Sequence, residues 1–220
     1  MPRPPGHGPG FEVRRLSILD EAAALFAKRG YAATGVDAIC RQVKLGKGAL
    51  YYYIGSKEKL LVEIQNRVLA PVLAETERIN TLDQTSMVRL RLLSEYLLTT
   101  IFGRLDHIWV YEHDYRQLST VNRKRVLRQR HQFEDLVYSM LQEAINDGYL
   151  TVADSWLATL QFLNLHNYTY QWARPGLPWG PADLSTTYFR TLMLGFGAAA
   201  ETVQQAESIA CAIKADKSGE

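Results

Sequence analysis

The sequence predicts an all-α protein, and three observations lead to that prediction. Leu, Ala and Tyr are plentiful among the 220 residues. The 8 prolines lie mainly at the ends of the chain and in one loop, where they do not interrupt helices. No stretch of useful length alternates apolar and polar residues as a half-buried strand does. A hydrophobic content of 47% suits a folded soluble protein, and we expect about nine helices.

Changes in composition divide the chain into four predicted segments. Residues 1–10 form a disordered arm, 11–60 a three-helix N-terminal domain, 61–205 a larger helical C-terminal domain, and 206–220 a flexible, small and polar tail. The arm has no apolar core, so it is not a signal peptide. No apolar run approaches the length of a membrane span. We therefore expect a cytoplasmic protein with no membrane partner.

Charge is unevenly distributed, although the net charge is only +2. Residues 1–60 contain ten Lys and Arg against five Asp and Glu, a balance of +5. The other 160 residues contain fifteen against eighteen, a balance of −3. A basic first domain and an acidic remainder fit phosphate binding at one end only. The two cysteines are far apart in sequence, which suggests neither a disulfide nor a metal site and fits a reducing compartment.

The first helix is predicted over 11–29. Its inward apolar stripe consists of Val13, Leu16, Leu19, Ala23 and Phe26. Lys28 and Arg29 place positive charge at the negative end of the helix dipole, and Gly30 ends the helix.

Residues 34–59, TGVDAICRQVKLGKGALYYYIGSKEK, predict two short helices joined by a tight turn. Thr34-x-x-Asp37 has the spacing of a capping box and begins the first of them. Its apolar positions recur at intervals of three and four residues: Val36, Ile39, Cys40 and Val43. The turn at 44–46 interrupts that pattern, and the second helix begins at Lys47. Two such helices make a helix-turn-helix, whose second helix lies in the DNA major groove with its N-terminal residues at the base edges.

The stretch GKGALYYYIGSKEKL, with ALFAKRGY before it, resembles the signature of the TetR family of one-component transcriptional regulators over roughly the first 65 residues. The resemblance implies a helical DNA-binding domain, a variable ligand-binding domain and a homodimer. Family members commonly have Gly where this chain has Lys44, Ser or Thr where it has Gly46, Thr where it has Ala49 and Phe where it has Ile54. Because Gly46 and Ala49 remove two hydroxyls, we expect the operator to differ from that of typical members.

The start of the second helix of the motif should supply the DNA contacts, with Lys47 and Tyr52 as the principal side chains. Small residues there allow close approach of the backbone, and nearby cations and a hydroxyl should meet phosphates. The predicted DNA-binding residues are Thr34, Lys44, Gly46, Lys47, Gly48, Ala49, Tyr51, Tyr52 and Lys57. By the resemblance, Tyr51 and Tyr52 face DNA and Tyr53 packs inward. The alternative for all three tyrosines is packing within the domain.

A long helix should follow from Lys57 towards Ile79, with Ser56 as its cap and Pro71 as a kink. After the polar stretch at 80–85, helices are predicted at 86–103, 105–118, 121–147, 153–172 and 183–205.

Two segments of the second domain mix aromatic and polar residues at helical spacing, as a pocket that orients a mostly apolar ligand would. The predicted ligand-binding residues are Trp109, Tyr111, Glu112, Asp114, Tyr115, Arg116, Phe162, His166, Tyr168, Trp172 and Arg174. A core with a solvated polar face is the alternative. Metal binding is not expected, because no tightly spaced pair of histidines exists.

A second, weaker resemblance concerns the segments YEHD at 111–114, followed by Arg116, and QWARPGLP at 171–178. Both are similar to the corresponding stretches of an actinobacterial TetR-family group that answers to acyl-CoA thioesters. Such a ligand needs an apolar slot for its acyl part and cations for its phosphates. The candidate cations are Arg116, Arg123, Lys124, Arg125 and Arg174. A solvated basic run at 123–130 is the competing interpretation.

The last two predicted helices should pair with their copies in a second subunit, since one recognition helix alone contacts little DNA. The predicted interface residues are Tyr188, Phe189, Leu192, Met193 and Phe196. A long apolar helix near the C-terminus could instead belong to the core.

These observations predict a ligand-responsive, homodimeric repressor of a catabolic operon. Its partners would be a palindromic double-stranded operator and a small apolar effector, for which the resemblance suggests an acyl-CoA thioester. Neither a cofactor nor catalysis is expected, because the sequence shows no nucleophile elbow, glycine-rich phosphate loop or triad. The alternative is a helical enzyme or carrier for acyl thioesters with an accessory DNA-binding domain. An architectural DNA-binding protein is a third possibility, but it should be basic throughout.

Overall fold

The computed structural model describes residues 9–218, and these form ten α-helices joined by turns, with no strand among them. The helices are α1 (Pro9–Arg29), α2 (Val36–Val43), α3 (Lys47–Ile54), α4 (Lys57–Asn80), α5 (Ser86–Gly103), α6 (Leu105–His113), α7 (Thr120–Asn146), α8 (Ser155–Asn167), α9 (Pro181–Gly195) and α10 (Ala200–Ser218). Short 3₁₀ turns at Tyr115–Gln117 and Tyr168–Gln171 follow α6 and α8. The predicted all-α class is confirmed.

The single helix predicted over 183–205 is wrong, because the chain turns between α9 and α10. Gly197 has φ +86°, a conformation that side chains other than glycine rarely adopt. A Cβ there would also meet the backbone and side chain of Thr151 at 3.4–3.6 Å. The Thr151 N–H donates to the Phe196 carbonyl at 2.7 Å, which fixes the turn.

The predicted flexible tail over 206–220 is also corrected, because α10 continues to Ser218. Ala206, Glu207 and Ala210 are buried. The Arg190 guanidinium of α9 donates to both carboxylate oxygens of Glu207 at 2.7–3.0 Å, which joins α10 to its neighbour. The predicted arm over 1–10 lies mostly outside the described residues, and Pro9 and Gly10 begin α1.

The chain forms two compact units, which we call the first and the second unit. The first comprises Met1–Val68 and Asp106–Leu127, and the second comprises Leu69–Leu105 and Arg128–Glu220. Residues 106–127 therefore belong with the helix-turn-helix, whereas the sequence placed them in the C-terminal domain. By sequence, the first unit has fifteen Lys and Arg against nine Asp and Glu, a balance of +6. The second has ten against fourteen, a balance of −4.

In the first unit, α1 packs against α2 and α3. The core of these three helices includes Ile18, Leu19, Phe26, Ile39 and Leu50. The predicted capping box at Thr34 is wrong, because Gly35 is the N-cap of α2 and the Thr34 hydroxyl donates instead to the Gly30 carbonyl at 2.8 Å. The predicted Ser56 cap of α4 is confirmed, since its Oγ accepts the Lys59 N–H at 3.0 Å.

The turn between α2 and α3 requires an unusual backbone conformation at Lys44. This residue has φ 55° and ψ 47°, in the left-handed region, and its N–H caps α2 by donating to the Cys40 carbonyl. Glycine adopts this conformation without steric cost, whereas a lysine rarely does.

The second unit is built around α5, which packs against α9 and α10 and also contacts α8. Its apolar core includes Leu90, Leu93, Val137, Phe162 and Phe189. Thr85 and Asp154 cap α5 and α8 through their side-chain oxygens. In the part of the chain that is described, no helix is both long and apolar enough to cross a membrane.

Candidate functional site

Helix α3 has one face in the core and one in solvent. Leu50 and Ile54 are buried, and they hold the helix against α1 and α2. Five of the predicted DNA-binding residues on this helix are solvent-exposed: Lys47, Gly48, Ala49, Tyr51 and Tyr52. Gly46, the N-cap of α3, is exposed too, and no side chain caps that end of the helix.

The tyrosines at 52 and 53 are held by an aromatic residue that the sequence interpretation did not single out. Phe11, in α1, stacks on Tyr53 with ring centroids 4.9 Å apart and meets Tyr52 edge-on at 5.4 Å. Tyr53 is half-buried, in keeping with its predicted inward packing, whereas Tyr52 stays exposed. The start of α1 therefore orients the exposed tyrosine of α3.

Lys47 forms an ion pair with Asp37 of α2, whose carboxylate lies 2.9 Å from the Lys47 Nζ. The hydrogen bond to Asp37 raises the pKa of Lys47, which keeps the ammonium charged. Both side chains are well exposed, so the pair contributes little to stability. Its effect is on the position of the ammonium. The sequence assigned Asp37 only a capping role and so missed it.

Two predicted phosphate contacts are bonded within the first unit instead. The Lys57 Nζ donates to the Tyr31 carbonyl at 2.6 Å and lies 4.1 Å above the Tyr31 ring. Burial lowers the pKa of Lys57. Thr34 is fully buried, and its hydroxyl is bonded to Gly30. No side chain caps the backbone N–H groups at this end of α2.

Residues 106–127 are tied to α1 and α4 by polar contacts. The Gln65 side chain donates to the Val110 carbonyl at 3.1 Å, and His107 Nε2 lies 3.3 Å from an Asp20 oxygen. Asp114 is buried beside Lys57 and accepts the Tyr31 N–H; burial raises the pKa of this carboxyl. These contacts explain why the segment forms one compact unit with the helix-turn-helix.

The predicted ligand-binding residues are divided between the two units. Trp109, Tyr111, Glu112, Asp114, Tyr115 and Arg116 lie in the first unit, and the other five lie in the second. In the first unit, the Trp109 and His113 rings stack at 4.1 Å, and the Arg116 guanidinium donates to the Tyr115 hydroxyl at 3.2 Å.

Within the second unit, Phe162 and His166 of α8 are fully buried. The His166 Nδ1 lies 2.7 Å from the Phe162 carbonyl, which only accepts, so Nδ1 carries the proton. Nε2 therefore accepts, and the Ser94 hydroxyl donates to it at 2.7 Å. Burial lowers the pKa of His166 to about 4, so the imidazole is neutral near pH 7. The Tyr188 ring meets this imidazole edge-on at 5.5 Å, and its hydroxyl bonds to Thr169 at 3.0 Å.

The other predicted ligand residues of the second unit lie at its surface. Tyr168, Trp172 and Arg174 are exposed. The structure thus does not bring them together with Phe162 and His166 in one buried lining. The Ser94–His166 pair has the spacing of a nucleophile and base, but both side chains are fully buried.

Three of the five residues predicted for the dimer interface are buried inside the second unit, which contradicts that assignment. Phe189 and Met193 are fully buried and Phe196 is 7% exposed, all within the core of the second unit. Tyr188 and Leu192 are half-buried. The large apolar side chains that α8 and α9 expose are instead Trp156, Leu157 and Leu194.

Among the described residues, no group of three or more His, Cys, Asp and Glu side chains could hold a metal ion.

Comparisons with known proteins give one consistent result. Residues 18–64 match the model of the bacterial regulatory proteins of the tetR family, and residues 83–196 match that of the tetracyclin repressor-like C-terminal domain. The HTH-type transcriptional repressor KstR2 of Rhodococcus jostii is 28% identical over 181 residues, covering 80% of this chain and 87% of that protein.

Solved structures show the same fold. The ketosteroid transcriptional regulator KstR2 of Mycobacterium tuberculosis superposes with a TM-score of 0.78 at 24% identity, covering 83% of this chain and 94% of that one. AibR, solved in complex with isovaleryl coenzyme A and operator DNA, superposes with a TM-score of 0.71 at 22% identity, covering 84% of this chain and 100% of that one.

Proposed function

The chain belongs to the TetR family of bacterial regulatory proteins, and from this premise we propose that it represses a catabolic operon until a small apolar effector releases it. Its family consists of DNA-binding transcriptional regulators, so the chain is a regulator and not an enzyme. The observation that carries the proposal is the exposed face of α3, which presents Lys47 and Tyr52 from a unit of net charge +6.

The DNA part of the proposal follows from that face. An exposed helix with small residues at its start can enter the major groove closely, and Lys47 can reach a base edge or a phosphate. Asp37 holds the Lys47 ammonium until DNA offers a competing anion. The uncapped start of α2 can receive a phosphate through its backbone N–H groups.

We expect Lys47→Ala and Tyr52→Ala each to weaken specific DNA binding by roughly 1–3 kcal/mol, because each removes a side chain from the exposed face of the recognition helix. The measurement is affinity, at fixed salt, for a duplex that the wild-type protein selects from a random library. Arg128→Ala is the control, since it removes an exposed cation of the second unit. Wild-type affinity in both variants would contradict the assignment of α3.

A palindromic operator presents two half-sites roughly 34–36 Å apart, and each is read by one recognition helix. The proposed repressor is therefore a homodimer. We assign the dimer interface to the exposed apolar side chains of α8 and α9. On α9 this side chain is Leu194. This assignment replaces the buried residues that the sequence suggested.

The effector part of the proposal rests on the second unit and on the relatives. Ser94, His166 and Tyr188 place polar groups among apolar side chains of α5, α8 and α9, the composition that a site for a mostly apolar ligand requires. Their hydrogen bonds are made within the second unit, so the ligand enters this cluster by separating the helices. A ketosteroid regulator and a regulator crystallised with an acyl-CoA share the fold. We infer an acyl group, carried as its CoA ester, as the effector class.

The effector acts by binding one conformation of the dimer better than the conformation that fits the operator. DNA and effector then weaken each other reciprocally, since the coupling free energy is the same in both directions. An effector that bound both conformations equally would release nothing.

The test is a thermal-shift and DNA-release series that compares free acids with their CoA esters. A bound ester should stabilise the protein by about 2.7 kcal/mol at a concentration 100 times its Kd, and should release DNA over the same range. Trp172→Ala removes an exposed member of the predicted ligand-binding set, so it should blunt the response, and DNA affinity should be retained because Trp172 lies in the second unit and α3 in the first. Trp179→Ala, which removes another exposed tryptophan, is its matched control.

The outcomes separate the parts of the proposal. Equal effects of free acids and esters would remove the CoA requirement. Release by an unrelated planar molecule, with no effect of acids or esters, would exclude acyl compounds as the effector class. If the wild-type protein selected no DNA sequence from the library, the proposal that it is a repressor would be wrong.

A further inference from the structure

A basic segment of the first unit lies outside the helix-turn-helix. Residues 115–127 contain four Lys and Arg and no Asp or Glu. Lys124 and Arg125, in the second turn of α7, are exposed, and Arg123 beside them is half-buried. Within the described residues, none of these three cations forms an ion pair. We call residues 115–127 the basic segment.

The basic segment is fastened to the first turn of α4. The Glu58 carboxylate accepts the Ser119 N–H at 3.0 Å and the Asn122 side-chain amide at 2.8 Å. These hydrogen bonds lower the pKa of Glu58, so it remains ionised. Because only two residues separate α3 from α4, the start of α7 and the recognition helix are attached at the same end of α4.

We propose that the basic segment is a second DNA contact, which binds phosphates of the duplex outside the bases that α3 reads. The proposal rests on the DNA binding assigned to this family and deepens it, because it extends the footprint beyond the motif. The ligand is the sugar–phosphate backbone of double-stranded DNA. The contact is independent of base sequence.

Three features favour phosphate as the partner. Cations crowded on one short segment repel each other, and an anion relieves that repulsion. The segment includes the start of a 27-residue helix, whose dipole favours negative charge nearby. The Glu58 carboxylate is bonded to Ser119 and Asn122 at this helix start and forms no ion pair with Lys124 or Arg125 among the described residues.

Coenzyme A also carries phosphates, but the placement of the segment favours DNA. The basic segment lies in the same compact unit as the recognition helix. Arg174, the other candidate for CoA phosphates, lies in the second unit with Phe162 and His166. A cation fixed to the unit that reads DNA is therefore assigned to the DNA backbone.

The test is the salt dependence of DNA binding by Lys124→Gln/Arg125→Gln. Both side chains are exposed, so the variant should keep its fold, which a thermal melt checks. The probe is the duplex that the wild-type protein selects from a random library, with a scrambled duplex beside it. The slope of log affinity against log salt should become shallower by about 1 for each phosphate that the variant no longer neutralises. The ratio of specific to scrambled affinity should not change.

A charge-matched control separates local phosphate binding from general electrostatics. Arg128→Gln/Lys214→Gln removes the same charge from exposed positions of the second unit, and its slope should stay at the wild-type value. A duplex that extends one further helical turn, about 10 base pairs, on each side should bind the wild type more tightly than a duplex ending at the selected repeat. That increase in affinity should shrink in Lys124→Gln/Arg125→Gln.

Equal slopes for the two double variants would overturn the proposal. So would loss of the thermal shift produced by coenzyme A in Lys124→Gln/Arg125→Gln with an unchanged salt slope, since the cations would then serve a small molecule. Failure of the repressor function is a different result. In that case no sequence would be selected, and the slope on the scrambled duplex would still decide whether the basic segment contacts DNA.

Discussion

Phe196→Asp should unfold the second unit, whereas Leu194→Asp, two residues earlier, should only dissociate the dimer. Phe196 is 7% exposed and belongs to the core, while Leu194 is 49% exposed. Truncation of a buried Phe alone costs about 3–5 kcal/mol. An unpaired buried carboxylate adds several kcal/mol of desolvation, so Phe196→Asp removes most of a typical domain's stability of about 5–15 kcal/mol.

The two variants are distinguished by circular dichroism melts and sedimentation equilibrium. Phe196→Asp should lose its cooperative thermal transition. Leu194→Asp should keep the wild-type melting curve at low protein concentration but sediment as a monomer, with weaker operator affinity because only one recognition helix binds at a time. Ala199→Asp, at an exposed position of the turn after α9, is a control for added charge.

A monomeric Phe196→Asp with an intact fold would show that this ring lies in a subunit interface. A dimeric Leu194→Asp with wild-type operator affinity would place the interface away from the exposed face of α9.

The sequence predicted those parts of the fold that depend on local signals. α5 was predicted at its observed bounds and α7 within one residue at each end, because polar residues, glycines and helix caps mark these ends. Lys47 and Tyr52, which the motif assigned to DNA, are both exposed on α3, while Leu50 and Ile54 fill its buried side. Such signals need only neighbouring residues.

The errors concern features that only tertiary contacts decide. The small residues at 195–200 continue an apolar helical pattern, so the positive φ of Gly197 and its bond partner Thr151 could not be inferred. Phe189, Met193 and Phe196 were assigned to a dimer interface because a helix face that meets a core and one that meets a partner are equally apolar. The contacts of residues 106–127 with α1 and α4 are likewise distant in sequence.

Lys57 shows the same difficulty within the DNA-binding unit. A lysine at the start of α4 fits a phosphate contact, but the structure bonds it to the Tyr31 carbonyl beside the buried Asp114. Lys124 and Arg125 form no ion pair among the described residues, and sequence periodicity could not place them in the unit that contains the motif.

Acid should weaken the second unit between pH 6.5 and pH 4 through His166. The unfolded chain protonates this imidazole near its ordinary pKa of 6.5, whereas burial lowers the folded pKa to about 4. As the pH drops, the unfolded state binds the proton before the folded state does. The contribution of His166 to the free energy of unfolding is therefore fully present above pH 6.5 and is lost as the pH falls towards 4. This difference between the unfolded and folded pKa values corresponds to a loss of about 3 kcal/mol in the free energy of unfolding.

The expected result is specific to the Ser94–His166 pair. Urea unfolding of wild type should show a pH slope that His166→Gln lacks over this interval, by up to about 1.4 kcal/mol per pH unit. Carboxylates such as Glu58, whose lowered pKa also makes stability fall in acid, contribute equally to the slopes of wild type and His166→Gln. Their contribution therefore cancels in the difference between the two slopes. His131→Gln, which removes an exposed imidazole elsewhere in the second unit, is the control for the loss of a histidine. Titration of the His166 ring signal by NMR near pH 6.5 would contradict the assignment, because a solvated imidazole would then replace the buried neutral one that accepts the Ser94 hydroxyl.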